Sequence, residues 1–138
     1  MAEEQVATVL PGLDALNRPY WTSGADEVLR IARCRSCSFY LHPPMPVCRK
    51  CGGDDVRPEA VSGRGRIATY TINRQRWLPG MKVPFIFAAV ELEEQAGLYV
   101  LTTIENCPVD SVKSGMSVAV SFLEREGIFL PIFSPVSL

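Results

Sequence analysis

Cys34-Arg35-Ser36-Cys37 and Cys48-Arg49-Lys50-Cys51 place two Cys-x-x-Cys pairs ten residues apart. No other feature of the chain narrows its fold so far. Two intervening residues let a pair of thiolates bite one ion from a single tight turn. Two such turns complete a tetrahedral four-sulfur shell with no position left for a reactant. The primary reading is a structural zinc site with Cys34, Cys37, Cys48 and Cys51 as ligands. Iron in a rubredoxin-like site uses the same sulfurs, and two disulfides or a redox pair are further uses of the same spacing. The first ten residues carry Glu3 and Glu4 and no basic segment, which does not resemble a secretory signal, so a cytoplasmic, thiol-preserving setting is the expectation.

The remaining chemistry-bearing residues are sparse. The fifth cysteine, Cys107, precedes Pro108, and the single histidine, His42, precedes Pro43 and Pro44 between the two knuckles. A nucleophilic cysteine needs a base within reach, and nothing in the sequence brings His42 to Cys107, so no catalytic residue is assigned. Four thiolates also leave no place for His42 on the metal.

At 138 residues the chain has room for one ordinary domain or two small ones, and a ribbon alone is too small to fold without its metal. No apolar run reaches the length of a membrane span. Charge is uneven: a net of −4 over residues 1–29, +8 over 30–82 and −5 over 83–138. The basic middle is either a surface for an anionic ligand or acidic partner, or a set of solvated strand faces.

Leu13 to Trp21, or a shorter stretch capped by Asn17 with Pro19 in its first turn, reads as a short helix ended by Gly24. Val28, Leu29 and Ile31 lead into the first knuckle, and Phe39 to Leu41 return from it. After the turn Ser62-Gly63-Arg64-Gly65, five strands are expected at residues 66–73, 85–92, 99–104, 117–123 and 128–133. They are separated by Pro79-Gly80, Gly97, Pro108, Ser114-Gly115 and Gly127. Five short strands hide their edges most simply by closing into an oligonucleotide/oligosaccharide-binding (OB) barrel. The expected fold is therefore mostly β: a tail and short N-terminal helix over 1–27, a rubredoxin-like four-cysteine zinc ribbon over 28–61 and a five-stranded OB-fold barrel over 62–138.

This order, with Pro19-Tyr20-Trp21, Pro43-Pro44 before the second knuckle, Pro84-Phe85 opening a strand that ends Val90-Glu91-Leu92, and Gly115-Met116 before the fourth strand, resembles the zinc-ribbon/OB-fold family associated with acyl-CoA enzymes. The resemblance implies a non-catalytic accessory subunit of a thiolase-fold enzyme, of the steroid side-chain aldolase or thiolase/HMG-CoA synthase kind. It implies a barrel that packs on that partner in a heterotetramer and helps hold acyl-CoA. The loop after the first barrel strand carries Arg74, Arg76, Trp77 and Lys82. Guanidinium forks and an ammonium suit the CoA phosphates and an indole suits adenine, although Trp77 suits an interface anchor against the partner slightly better. Arg64 and Arg66 are expected to extend that surface. The competing class is a single-stranded nucleic-acid-binding ribbon and barrel, which the basic middle fits; few outward aromatics and the acidic last third weigh against it.

Overall fold

The computed structural model describes residues 9–136; residues 1–8 of the expected tail lie outside the described residues, as do residues 137–138. Helix α1 spans Arg18–Thr22 and runs into a 3-10 turn at Ser23–Asp26. It is shorter than the Leu13 to Trp21 reading. Before it, the Asn17 side chain accepts from the Asp14 N–H at 2.8 Å while the Asp14 carboxylate accepts from the Asn17 N–H at 2.7 Å. This reciprocal pair ties the preceding residues into a turn that competes with helix. Gly24 does not end the helix through a left-handed cap, as the sequence suggested. A Cβ there would lie 2.5 Å from the Phe122 ring, so glycine is required because the turn presses flat on the barrel.

Strands β1 (Arg30–Cys34), β2 (Tyr40–Leu41) and β3 (Val56–Ala60) form a small antiparallel sheet in the order β2-β1-β3. Strand β3 has no counterpart among the sequence-based expectations. Pro58 conceals it, yet it pairs with Ala32 from an edge strand, where a missing N–H is tolerated.

The second sheet contains β4 (Arg64–Asn73), β5 (Phe85–Leu92), β6 (Tyr99–Ile104), β7 (Ser117–Arg125) and β8 (Ile128–Pro135). They close in the order β4-β5-β6-β8-β7. The closure uses one parallel contact, Ile104 opposite Phe133, among otherwise antiparallel pairings. This is the five-strand OB arrangement, in which closure removes the exposed sheet edges. A register shift between Ile67 and Thr69 bends β4 so that its first residues pair with both β5 and β7, as a bulge does at a barrel corner. Gly65 sits at that corner, where a Cβ would drive into the Glu91 carbonyl.

Inward positions of the barrel strands, among them Ile67, Ile86, Val90, Val100, Val118 and Phe133, form one core with Leu29, Ile31, Tyr40 and Tyr20. Ribbon and barrel thus share apolar burial. They are also stitched by Gln95, whose side-chain oxygen accepts from the Tyr40 N–H at 2.8 Å while its amide donates to the Tyr40 carbonyl at 3.1 Å. One side chain thereby satisfies both backbone groups of a residue in the two-residue edge strand β2. No helix among the described residues is long and apolar enough to cross a membrane.

Candidate functional site

The two cysteine pairs fold into near-identical turns. The Ser38 N–H donates to the Cys34 carbonyl and the Gly52 N–H to the Cys48 carbonyl, both at 2.9 Å. Ser38 and Gly52 take positive φ values of 69° and 80°, so each chain end swings back under its pair. All four Sγ atoms lie within 4.8 Å of one another. Cys34 is 3.6 Å from Cys51 and Cys37 is 3.7 Å from Cys48. A zinc–sulfur distance of about 2.3 Å makes the edge of a regular tetrahedron about 3.8 Å, so these separations fit one ion at the centre. They are far longer than a sulfur–sulfur bond of about 2.05 Å, which removes the disulfide reading.

The electrostatics suit a cation. The Cys37 backbone N–H helps hold the Cys34 thiol below its ordinary value. Burial pushes Cys48 up, but the N–H groups of Cys51 and Lys50 outweigh it and bring it to about 7. The Gly53 N–H draws Cys51 down, yet the neighbouring Cys37 and Cys34 sulfurs push it up to about 11. Four sulfurs this close cannot all ionise without a positive charge among them, and a divalent ion supplies it. The described residues therefore fit a closed, structural zinc shell.

His42 takes no part in this cluster. Its ring lies 4.6 Å from Tyr20, beside a cavity of about 100 Å³ whose lining includes Arg30 and Pro58. Burial lowers its pKa to about 4, so it is neutral at physiological pH, and its Nδ1 has no hydrogen-bond partner in the structure. Burial raises the Cys107 thiol, and its Sγ faces the Pro108 carbonyl at 3.5 Å.

Arg74, Arg76, Trp77 and Lys82 lie together on the β4–β5 hairpin loop, all exposed. The Arg76 Nε donates to the Met81 carbonyl at 2.9 Å and the Trp77 indole N–H to the Asn73 side chain at 2.9 Å. None of the ion pairs seen among the described residues uses Arg74, Arg76 or Lys82. Arg64 and Arg66 do not extend this surface. Arg66 stands seven residues before Asn73, where β4 ends and the loop begins, about 23 Å along the strand, and lines a separate open groove of about 420 Å³ with Arg64, Glu91 and Ser117.

The barrel strands carry two outward aromatics. Phe87 and Tyr99 are 41% and 46% exposed, beside Leu101 at 65%, with Trp77 at 68% on the adjoining loop. The sequence concealed this because Phe85-Ile86-Phe87 and Tyr99-Val100-Leu101 are unbroken apolar runs. Such runs read as strands buried on both faces.

Residues 21–57 match the family model described as the rubredoxin-like zinc ribbon domain of ChsH2, and residues 58–123 match that of its C-terminal OB-fold domain. Over 136 residues the chain is 32% identical to a probable enoyl-CoA hydratase alpha subunit of Thermomonospora curvata, covering 96% of this chain and 42% of that protein. It is 29% identical to the 3-oxo-4,17-pregnadiene-20-carboxyl-CoA hydratase alpha subunit of Mycobacterium tuberculosis, over 80% of this chain and 37% of that one. The chain thus spans about two fifths of the length of these two relatives. A DUF35 domain-containing scaffold protein of Pyrococcus furiosus is 30% identical, with 72% of each chain covered. Among solved structures, a chain of the Ltp2-ChsH2(DUF35) aldolase superposes with a TM-score of 0.82 at 29% identity, covering 91% of this chain and 98% of that one. With its sulfur cluster, its barrel order and these relatives in agreement, the chain belongs to the DUF35 family of ChsH2-type zinc-ribbon and OB-fold proteins.

Proposed function

We propose that this chain is a non-catalytic accessory subunit of a thiolase-fold acyl-CoA enzyme, of the steroid side-chain retro-aldolase or thiolase/HMG-CoA synthase kind, working in the cytoplasm. The observation that carries the reading is the superposition on nearly the whole of a chain from the Ltp2-ChsH2(DUF35) aldolase. The names of the other relatives, alpha subunits and a scaffold, support a role beside another protein.

In this reading zinc on Cys34, Cys37, Cys48 and Cys51 cross-links the ribbon and supplies no open coordination position. The nucleophile and base belong to the partner, since His42 is packed against Tyr20 and stands beside no nucleophile. Arg74, Arg76 and Lys82 offer charge to the phosphates of the acyl-CoA, with the face of Trp77 available to adenine or to the partner. A two-plus-two heterotetramer follows if the thiolase-fold subunit is itself a dimer.

Co-expression with a thiolase-fold subunit, followed by an acyl-CoA cleavage assay on each chain and on the pair, tests the proposal. Activity confined to the pair is expected. Turnover of an acyl thioester by this chain alone, or full turnover by the partner alone, would end it. Within an active complex, replacing Arg74 and Arg76 by alanine is expected to raise KM for the acyl-CoA about tenfold with kcat little changed, as loss of a ground-state phosphate contact does. An unchanged KM removes both residues from the site.

One observation favours a second reading. Phe87, Tyr99 and Trp77 are exposed on the strands and loop that OB domains use for oligonucleotides. A gel shift with single-stranded DNA at physiological salt separates the two: tight, salt-sensitive binding would favour a nucleic-acid role.

A further inference from the structure

The four sulfur ligands are not equally protected. Cys34 and Cys48, the first of each pair, are buried, Cys37 is half-buried and Cys51 is exposed. The N–H groups of Lys50 and Cys51 both turn to the Cys48 sulfur, whereas Cys51 receives that of Gly53, at 3.3 Å. Gly52 and Gly53 leave the approach to the Cys51 sulfur open. A Cβ on Gly53 would lie 3.3 Å from it and 3.2 Å from the Ser36 Oγ, filling the space beside the thiol, and one on Gly52 would meet nothing within 4 Å.

Positive charge is held beside this opening. From Cys34 to Asp55 the chain carries Arg35, Arg49 and Lys50 against Asp54 and Asp55, and Asp55 is engaged by Arg57 at 2.8 Å. The Arg49 guanidinium lies 4.8 Å and the Lys50 ammonium 5.3 Å from the centre of the Phe39 ring. Phe39 packs on the small core that contains Cys34 and Cys48, so the ring fixes both cations at the sulfur end of the ribbon. Arg35, Arg49 and Lys50 take part in none of the ion pairs seen among the described residues.

We infer that Cys51 is a modification site: the ligand thiolate open to peroxides and other soft electrophiles, and the point at which oxidation opens the zinc shell. The inference needs only the four-sulfur shell and stands apart from the accessory-subunit reading. Partly exposed thiolates in an electropositive setting are the reactive ones, and buried cysteines are inert. Binding to a divalent ion keeps the sulfur deprotonated. The Cys51 thiolate attacks one oxygen of hydrogen peroxide; an S–O bond forms, the O–O bond breaks, and the departing hydroxide takes a proton to become water. The Cys34 sulfur, 3.6 Å away, then attacks the Cys51 sulfur. An S–S bond forms, the S–O bond breaks, and the second hydroxide also leaves as water. Each sulfur gives up one electron and the peroxide takes both. Two ligands are thereby withdrawn, and the ribbon loses the cross-link around which its core is built. Cys107 is no competitor, because burial raises its thiol and its Sγ faces the Pro108 carbonyl at 3.5 Å.

The test treats the zinc-loaded full chain with limiting hydrogen peroxide. Remaining thiols are blocked with N-ethylmaleimide, peptides are mapped by mass spectrometry, and freed zinc is read with a chromogenic chelator. A Cys34–Cys51 disulfide is expected as the first product, with zinc freed in step and Cys107 still labelled by maleimide. Dithiothreitol with added zinc is expected to restore the shell. Oxidation that begins at Cys37, Cys48 or Cys107, or that shows no order among them, overturns the inference, as does oxidised Cys51 with zinc retained. Two variants that keep all four ligands probe the cause. Gly53→Ala is expected to slow oxidation at Cys51 about threefold or more by closing access. Replacing Arg49 and Lys50 together by glutamine is expected to lower the ratio of iodoacetate to iodoacetamide alkylation rates at Cys51 about twofold or more, since only the anionic reagent is steered by charge. Rates at Cys51 unmoved in both variants overturn the assignment.

Discussion

The ribbon and the barrel solve the same problem of small size in opposite ways. The ribbon's own core holds four buried residues, Ala32, Leu41 and two of the metal ligands, Cys34 and Cys48. Its ligands are therefore also much of its interior, and the fold there is only as stable as its sulfur–metal bonds. The barrel buries a continuous set of branched and aromatic side chains around Phe133 and closes its sheet on itself, so its stability comes from packing. One chain thus joins a region expected to depend on its metal to a region expected to hold without it. They are joined by shared burial of Leu29, Ile31 and Tyr40 and by the side chain of Gln95.

The sharpest way to break this contrast is to remove a ligand. Cys34→Ser is expected to abolish stoichiometric zinc, read by metal analysis. Hydrogen exchange should then accelerate across residues 30–57 while β5 and β6 stay protected. The effect is expected to be the largest here, because apparent binding free energies of structural zinc reach about 10 kcal/mol or more. Equal loss of protection in the barrel would mean that the two regions form one cooperative unit.

Phe133→Ala attacks the other side. Phe133 is fully buried and pairs with β6 and β7 at the point of closure. Truncation is expected to cost about 3–5 kcal/mol in denaturant unfolding, with the zinc stoichiometry of the remaining folded protein unchanged.

Acid tests the seam between α1 and the ribbon. Burial holds the folded-state pKa of His42 near 4, below its unfolded value of about 6.5. The unfolded chain therefore binds the proton first. The contribution is whole above about pH 6.5 and is lost as pH falls toward 4, by about 3 kcal/mol at most. His42→Gln is expected to flatten that part of a stability–pH curve recorded at saturating zinc, and an unchanged slope would assign the acid sensitivity to the thiolates.

The smallest effect is expected from the stitch. Gln95→Ala leaves the backbone of Tyr40 without its side-chain partner, at a cost of about 1–2 kcal/mol. Its distinctive expected outcome is two separate melting transitions in place of the single one expected for the unmodified chain.

How much of this was legible beforehand follows from range. The Cys-x-x-Cys spacing is a local property, and the turns it demands are the turns observed. The five barrel strands were equally readable, because β-rich runs punctuated by glycine and proline report on nearest neighbours. Strand β3 was hidden by Pro58, whose acceptability depends on lying at an edge. The outward aspect of Phe87, Tyr99 and Leu101 was hidden because an apolar run carries no mark of which face meets solvent. The candidate CoA loop was chosen by residue type. The structure brings Arg74, Arg76, Trp77 and Lys82 to one hairpin and separates them from Arg64 and Arg66 by the length of β4.

Sequence by itself determined the metal shell, the number of barrel strands and the absence of a histidine pair, since each depends on residue identity and short spacing. Tertiary structure alone decided that Gly24 lies under Phe122, that Gln95 clamps Tyr40, that His42 is half-buried and neutral beside Tyr20, and which apolar residues the barrel turns outward. Those outcomes come from contacts between positions far apart in the chain. Only closure of the sheet, which chooses an inside and an outside for every strand, settles them.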